Sequence, residues 1–294
     1  MSEKTQPKTE FAFHKFNIET IARDATCVIL GQRGSGKSVL IRNILQVLKD
    51  IPQGIIISKT EKYNKAYSDI FPSTFIYDKY SRELVEKVFS SQESKLNHYR
   101  REHPEVRDGK SVDNSFLMVM EDCLADASLW KKDTYIKEIF QNGRHANICY
   151  IVTLQYTKGI TPELRSNIDY IFIFRHDSKV ELRSLYENYA SIIPTFSIFC
   201  QILESLTRNY MCMVIENKNK GNKEWWERIY YCKAKSKLEP FKFGSDAFWE
   251  FHDNYYKGTQ CDSDQDDDIR KGIDLISKYA SVSQPIKLVI KQNH

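Results

Sequence analysis

The stretch that most constrains how this chain can fold is TCVILGQRGSGKSVLIRN, residues 26 to 43: an apolar run, three glycines within six residues, then a lysine and a serine opening a second apolar run. Within it, GQRGSGKS (31–38) satisfies G-x-x-x-x-G-K-S/T through Gly31, Gly36, Lys37 and Ser38, with Gly34 in addition. A buried-strand pattern leads straight into the motif and a helical period leads out of it, the setting in which such a loop holds phosphate. Glycines let the backbone turn several N–H groups towards one anion with no side chain in the way. The helix beginning near Lys37 adds the positive end of its dipole. Lys37 is placed to reach the β- and γ-phosphates and Ser38 to give an oxygen to Mg²⁺. The expected ATP contacts are Gly31, Gln32, Arg33, Gly34, Ser35, Gly36, Lys37, Ser38 and Val39.

The remaining pattern extends this unit. Strand-like runs at TCVILG (26–31), GIIIS (54–58), SFLMVME (115–121), ICYIVTLQ (148–155), YIFIFR (170–175) and YMCMVIE (210–216) alternate with helical periods over Lys37 to Lys49, Arg82 to Tyr99, Lys132 to Asn142, Val180 to Tyr189 and Thr195 to Ser205. Strands alternating with helices predict a parallel sheet covered on both faces. FAFHKFNIETI predicts a leading strand, 101–114 a surface loop, and 218–225 a hairpin-like turn into a late strand, RIYYC. The expected organisation is an N-terminal arm (1–20), an ATPase core (21–235) and a C-terminal extension (236–294) carrying the acidic run 261–270.

A phosphate loop needs a second strand ending in acid, to hold the metal and orient an attacking water. FLMVMED places Glu121 and Asp122 there. By position Glu121 serves the metal and Asp122 the water, but the Glu-Asp order leaves Asp122 open as a metal ligand too. ICYIVTLQ ends in Gln155, an amide that could sense the terminal phosphate; Thr153 is a weaker candidate. Of the arginines near that strand, Arg165 follows a proline-initiated turn read as near the phosphate end of the sheet and ranks first as an arginine finger. Arg144, in NGRH, ranks second. Both compete with ordinary surface ion pairing.

Composition narrows the class. At 41% hydrophobic and 28% charged over 294 residues the chain can bury a sizeable core, and a net charge of +4 excludes tail-driven nucleic-acid binding. Seven cysteines without a CxxC pair make neither a disulfide framework nor a zinc ribbon, and Cys27, Cys123 and Cys149 read as reduced core thiols. No signal-peptide pattern and no span of 18 apolar residues is found, so export and membrane crossing are not expected.

GQRGSGKSVLIRNIL, FLMVMED, FQNGRHANICYIVTLQY and ITPELRSNIDYIFIF together resemble the genome-packaging ATPases of large double-stranded DNA viruses and their virophage relatives, the poxvirus-type branch of the FtsK/HerA superfamily. The likeness covers roughly residues 25 to 216, and NGRH…TLQ…LRSNIDYIF is its specific part. It implies a RecA-like (ASCE) P-loop NTPase, an α/β fold with a central, mostly parallel β-sheet flanked by helices, the Gln155 strand lying between the phosphate-loop strand and the acidic strand. It further implies a homo-oligomeric ring of five or six subunits, with Arg165 or Arg144 entering the neighbour's site. ATP hydrolysis would drive double-stranded DNA into a preformed capsid through a capsid or portal-vertex protein, in the host cytoplasm at the viral assembly site. LWKKDTY (129–135) and NHYRREH (97–103) are the candidate DNA contacts. Two other readings compete. A kinase or GTPase lacks support, because KNKGN (218–222) is a poor guanine motif and no arginine-rich lid is found. A non-hydrolysing nucleotide-binding scaffold would be expected to have lost one of Lys37, Ser38, the two acids or Gln155.

Overall fold

The computed structural model describes residues 11–102, 114–123, 130, 132–218, 221 and 223–255. Its nine strands are β1 (His14–Lys15), β2 (Thr26–Leu30), β3 (Gln53–Ser58), β4 (Ile76–Tyr77), β5 (Phe116–Glu121), β6 (Ile148–Leu154), β7 (Tyr170–Ile173), β8 (Met211–Glu216) and β9 (Ile229–Lys233). They form one sheet in the order β1-β9-β8-β7-β2-β6-β5-β3-β4. All pairings are parallel except β7 with β8 and β8 with β9. Every residue of β2, β3, β5, β6 and β7 is buried, which is why these strands are continuous apolar runs rather than alternating ones. As the resemblance implies, β6 lies between β2 and β5, with Thr26 opposite Tyr150 and Phe116 opposite Ile148.

The helices are α1 (Lys37–Val47), α2 (Glu61–Asn64), α3 (Arg82–Glu102), α4 (Thr134–Asn142), α5 (Pro162–Arg165), α6 (Lys179–Tyr189), α7 (Phe196–Leu206) and α8 (Asp246–Tyr255). Helix α4 starts at Thr134 rather than Lys132 because the Asp133 carboxylate accepts from the N–H groups of Tyr135 and Ile136. Thr195 caps α7 in the same way. The leading strand is much shorter than its pattern suggests. It pairs only at His14 and Lys15, because the Asn17 side chain accepts from the Glu19 N–H at 3.1 Å and diverts the backbone into a 3₁₀ turn, Ile18–Thr20. Phe16 still anchors it, edge-on to Tyr170, Phe172 and Tyr230.

Neither β4 nor α8 has a counterpart in the sequence pattern. After β9 the chain crosses α1, where Asn43 exchanges two hydrogen bonds with the Lys235 backbone at 2.8 and 3.0 Å. It then docks Phe243 on Phe71 and Phe248 on Phe75. Thus residues 236–255, the described part of the expected extension, pack on the core. The expected arm before Phe11, most of the loop 101–114 and the acidic run 261–270 lie outside the described residues. The described cysteines are free thiols, with Cys27, Cys123 and Cys149 buried. No helix among the described residues is long and apolar enough to cross a membrane.

Candidate nucleotide site

The parallel strands put the C-terminal ends of β2, β3, β5 and β6 side by side, and the phosphate loop leaves β2 at this edge. The Gly31 N–H donates to Leu154 O at 3.1 Å and the Phe174 N–H to Leu30 O at 2.8 Å, fixing where the loop begins. A Cβ on Gly31 would lie 2.5 Å from Ser35 Oγ and 3.0 Å from Phe174 Cβ, so only glycine fits. Gly36 precedes α1 at φ 104°, a conformation that L side chains rarely adopt. Lys37 is 8% exposed, and its Nζ donates to the carbonyls of Gly31 and Gln32 at 2.8 and 2.9 Å. Burial lowers its pKa, while the charges of Asp122 and Glu121 oppose that shift. Gln32, Arg33 and Gly34 are exposed, and Ser35 Oγ is buried without a hydrogen-bond partner. A buried hydroxyl with open capacity inside a glycine cradle fits an oxyanion.

The two acids diverge. Glu121, the last residue of β5, is 3% exposed and accepts from Ser38 Oγ at 2.6 Å, Tyr67 Oη at 2.8 Å and Ser58 Oγ at 3.3 Å. Burial raises its pKa, and those three donors together with Lys37 hold it down. Asp122 takes a positive φ of 54°, which turns the chain out of the strand direction. Its N–H donates to Thr153 Oγ1 at 3.1 Å, and its carboxylate accepts from Gln155 Nε2. Glu121 therefore stands with Ser38, and Asp122 with Thr153 and Gln155 on the neighbouring strand. Ser58 and Tyr67 are additions that the sequence did not single out. Ser58 had a signal, since it is the polar tip of the buried run GIIIS just as Gln155 is of ICYIVTLQ. Tyr67 had none: Glu61 presents it by accepting from the N–H groups of Tyr67 and Ser68 at 2.9 to 3.1 Å.

The arginines are placed otherwise than the sequence suggested. Arg165 does not lie near the phosphate end. Its helix α5 rests against the last turn of α4 through a Gln141 to Glu163 hydrogen bond of 3.1 Å, towards the end of the sheet where β6 and β7 begin. There Arg165 donates to the carbonyls of Ile160 at 3.1 Å and Asn188 at 3.2 Å and lies over the Tyr189 ring. Arg144 stands at that same end. It is half exposed and pairs with the buried Asp169, whose other oxygen accepts from the Thr26 N–H at 2.9 Å. Of the candidate DNA contacts, Trp130 is a core residue donating to Cys123 O at 3.0 Å, and Asp133 is a buried cap that accepts from Tyr80 at 2.7 Å. Leu129, Lys131 and His103 lie outside the described residues, and 97–102 forms the end of α3.

Among the described residues no group of three or more His, Cys, Asp or Glu is placed to hold a metal. A magnesium ion fits here in the way it usually binds, through one or two side-chain oxygens and substrate phosphates. Ser38 and Glu121 supply such oxygens 2.6 Å apart.

The chain is similar to known viral proteins. It is 35% identical over 242 residues to protein 075L of Invertebrate iridescent virus 6, covering 82% of this chain and 89% of that one. It is 31% identical over 247 residues to protein L437 of Acanthamoeba polyphaga mimivirus, covering 84% and 85%. Among solved structures, the genome packaging NTPase B204 of Sulfolobus turreted icosahedral virus 2 in complex with AMPPCP aligns with 73% of this chain and 100% of its own, at 18% identity and a TM-score of 0.49. The family model described as poxvirus A32 protein matches residues 13–236. That match takes in the phosphate loop, both acids, Gln155 and both arginines, and the chain belongs to the poxvirus A32 family.

Proposed function

We propose that this protein is an ATP-hydrolysing motor that translocates double-stranded DNA into preformed viral capsids. The observation that carries hydrolysis is the pairing of Ser38 with Glu121 at 2.6 Å beside the Asp122 and Gln155 pair, all at the mouth of the phosphate loop. DNA packaging is supported by membership of the poxvirus A32 family and by the motif set NGRH, TLQ and LRSNIDYIF.

In this reading the loop N–H groups and Lys37 hold the β- and γ-phosphates. Ser38 and Glu121 hold the metal, which when bound neutralises charge on the phosphate oxygens. Gln155 orients the Asp122 carboxylate, and Asp122 takes the proton from the attacking water. Assembly is a ring of five or six copies, and a neighbour's arginine supplies positive charge to the transferring phosphoryl group. Arg144 suits that role better than Arg165. It is half exposed and held by a single ion pair, whereas two backbone carbonyls and a ring hold Arg165. The deciding experiment is ATP turnover of the assembled protein with and without duplex DNA, with Lys37→Ala as control. Stimulation by DNA is expected. Robust turnover indifferent to DNA overturns the translocase reading, and nucleotide binding without turnover favours a scaffold.

A further inference from the structure

Tyr210 is a large side chain left exposed, at 73%. Its backbone is unusual as well. Tyr210 and the preceding Asn209 both have positive φ, at 60° and 53°, a conformation that L residues adopt only at a cost and that tends to persist where function requires it. The turn that carries them joins α7 to β8 and is closed by a Met211 N–H to Arg208 O hydrogen bond of 3.1 Å.

Topology puts this turn beside the phosphate loop. β7 runs parallel to β2 with Ile173 opposite Leu30, and β8 runs back antiparallel with Met213 opposite Ile173. The start of β8 therefore stands at the sheet edge from which the phosphate loop departs. A Cβ built on Gly36 would lie 3.9 Å from Tyr210 Cδ1. The strand order also separates two sides of the loop. Glu121 ends β5, and Asp122 and Gln155 directly follow β5 and β6, on one side of β2, whereas Tyr210 directly precedes β8 on the other. A nucleoside triphosphate whose terminal phosphate faces the acids extends its sugar and base the opposite way, towards Tyr210. On that route Val39, in the first turn of α1, is 40% exposed. Its carbonyl and that of Lys235 accept from the same Asn43 amide, at 2.8 and 3.0 Å, so the strip after β9 runs alongside.

We propose that the Tyr210 ring is the stacking platform for the base of the bound nucleoside triphosphate, with Val39 as a second apolar contact. The left-handed turn holds the ring out for this purpose. This inference rests on the nucleotide-binding reading above and adds the half of the ligand that the phosphate loop does not touch. Because every base has a π-face, stacking predicts tolerance of purine identity.

The test is the affinity of the full chain for AMPPNP, for GMPPNP and for inorganic tripolyphosphate, each with magnesium, by calorimetry. Tyr210→Ala should weaken both nucleotides by about 5- to 150-fold, the range base stacking supplies, and leave tripolyphosphate unchanged. Tyr210→Phe should match the wild type. Tyr210→Asn keeps a residue that tolerates left-handed backbone and should behave as Tyr210→Ala does, which separates loss of the ring from damage to the turn. Undiminished nucleotide affinity in Tyr210→Asn overturns the platform, as does equal weakening of tripolyphosphate. If the wild type binds neither nucleotide, it is the underlying nucleotide reading that fails.

Discussion

Ser38 Oγ donates to Glu121 Oε1 at 2.6 Å across 83 residues of sequence. The bond joins the first turn of α1 to the end of β5, two strands away from the loop's own strand. In the proposed reading, this hydroxyl and this carboxylate are the two that would hold magnesium. Replacing either oxygen should therefore act through the metal. Ser38→Ala and Glu121→Gln are each expected to lower ATP turnover about 100-fold or more, while nucleotide affinity measured with magnesium chelated changes little. Parallel loss of metal-free binding would place the defect in the loop instead.

Asp122 and Gln155 form the second pair, and a pair acting on water shows in kcat. Asp122→Asn should lower kcat by about 100- to 10,000-fold with KM near that of the wild type. Gln155→Ala should show a smaller effect of the same kind. A rise in KM alone in either variant would remove the pair from the chemistry.

Burial raises the pKa of Glu121 in the folded chain, so the ionised carboxylate destabilises the folded protein before any metal binds. Glu121→Gln is therefore expected to melt higher than the wild type at about pH 8 without magnesium. The gap should narrow as the pH falls and vanish below the unfolded carboxyl's pKa of about 4.3, because the native carboxyl takes up its proton at a higher pH than the unfolded one does. Thermal melts across that range check the sign, and a gap that widens on acidification would contradict it.

Asp169 holds the opposite end of the sheet, accepting from the Thr26 N–H and from Arg144. Asp169→Ala leaves a buried N–H unsatisfied and should cost about 2 kcal/mol, read as a fall in melting temperature of about 4–8 °C. A shift within a degree would show that water replaces the carboxylate.

Arg144→Ala and Lys37→Ala should each abolish turnover alone, and an equal mixture should recover part of it, because some interfaces then pair an intact loop with an intact arginine. Arg165→Ala is expected instead to lower the melting temperature, having lost two carbonyl contacts and the Tyr189 ring. Rescue by Arg165→Ala mixtures and none by Arg144→Ala would exchange the two roles.

Much of this was legible in residue order because its causes are local. A short apolar run such as Cys27 to Leu30 that stops at a glycine-rich loop reads as a strand buried on both faces, and glycines at 31, 34 and 36 before Lys37 admit few loops. The five helices read from the sequence emerged within a few residues of their expected ends, since helical period and caps such as Asp133 and Thr195 act over one turn. What the order of residues could not decide depends on contacts between distant segments. Ser58 and Tyr67 join Glu121 only because β3 lies beside β5. Which acid faces Ser38 follows from the positive φ at Asp122, and which end of the sheet holds Arg165 follows from where α5 meets α4. The sequence by itself determined a phosphate-binding α/β fold, through periodicity and steric freedom. The tertiary structure alone decided how the acids, the amide, the arginines and Tyr210 are distributed around the loop, because strand order and direction set those distances.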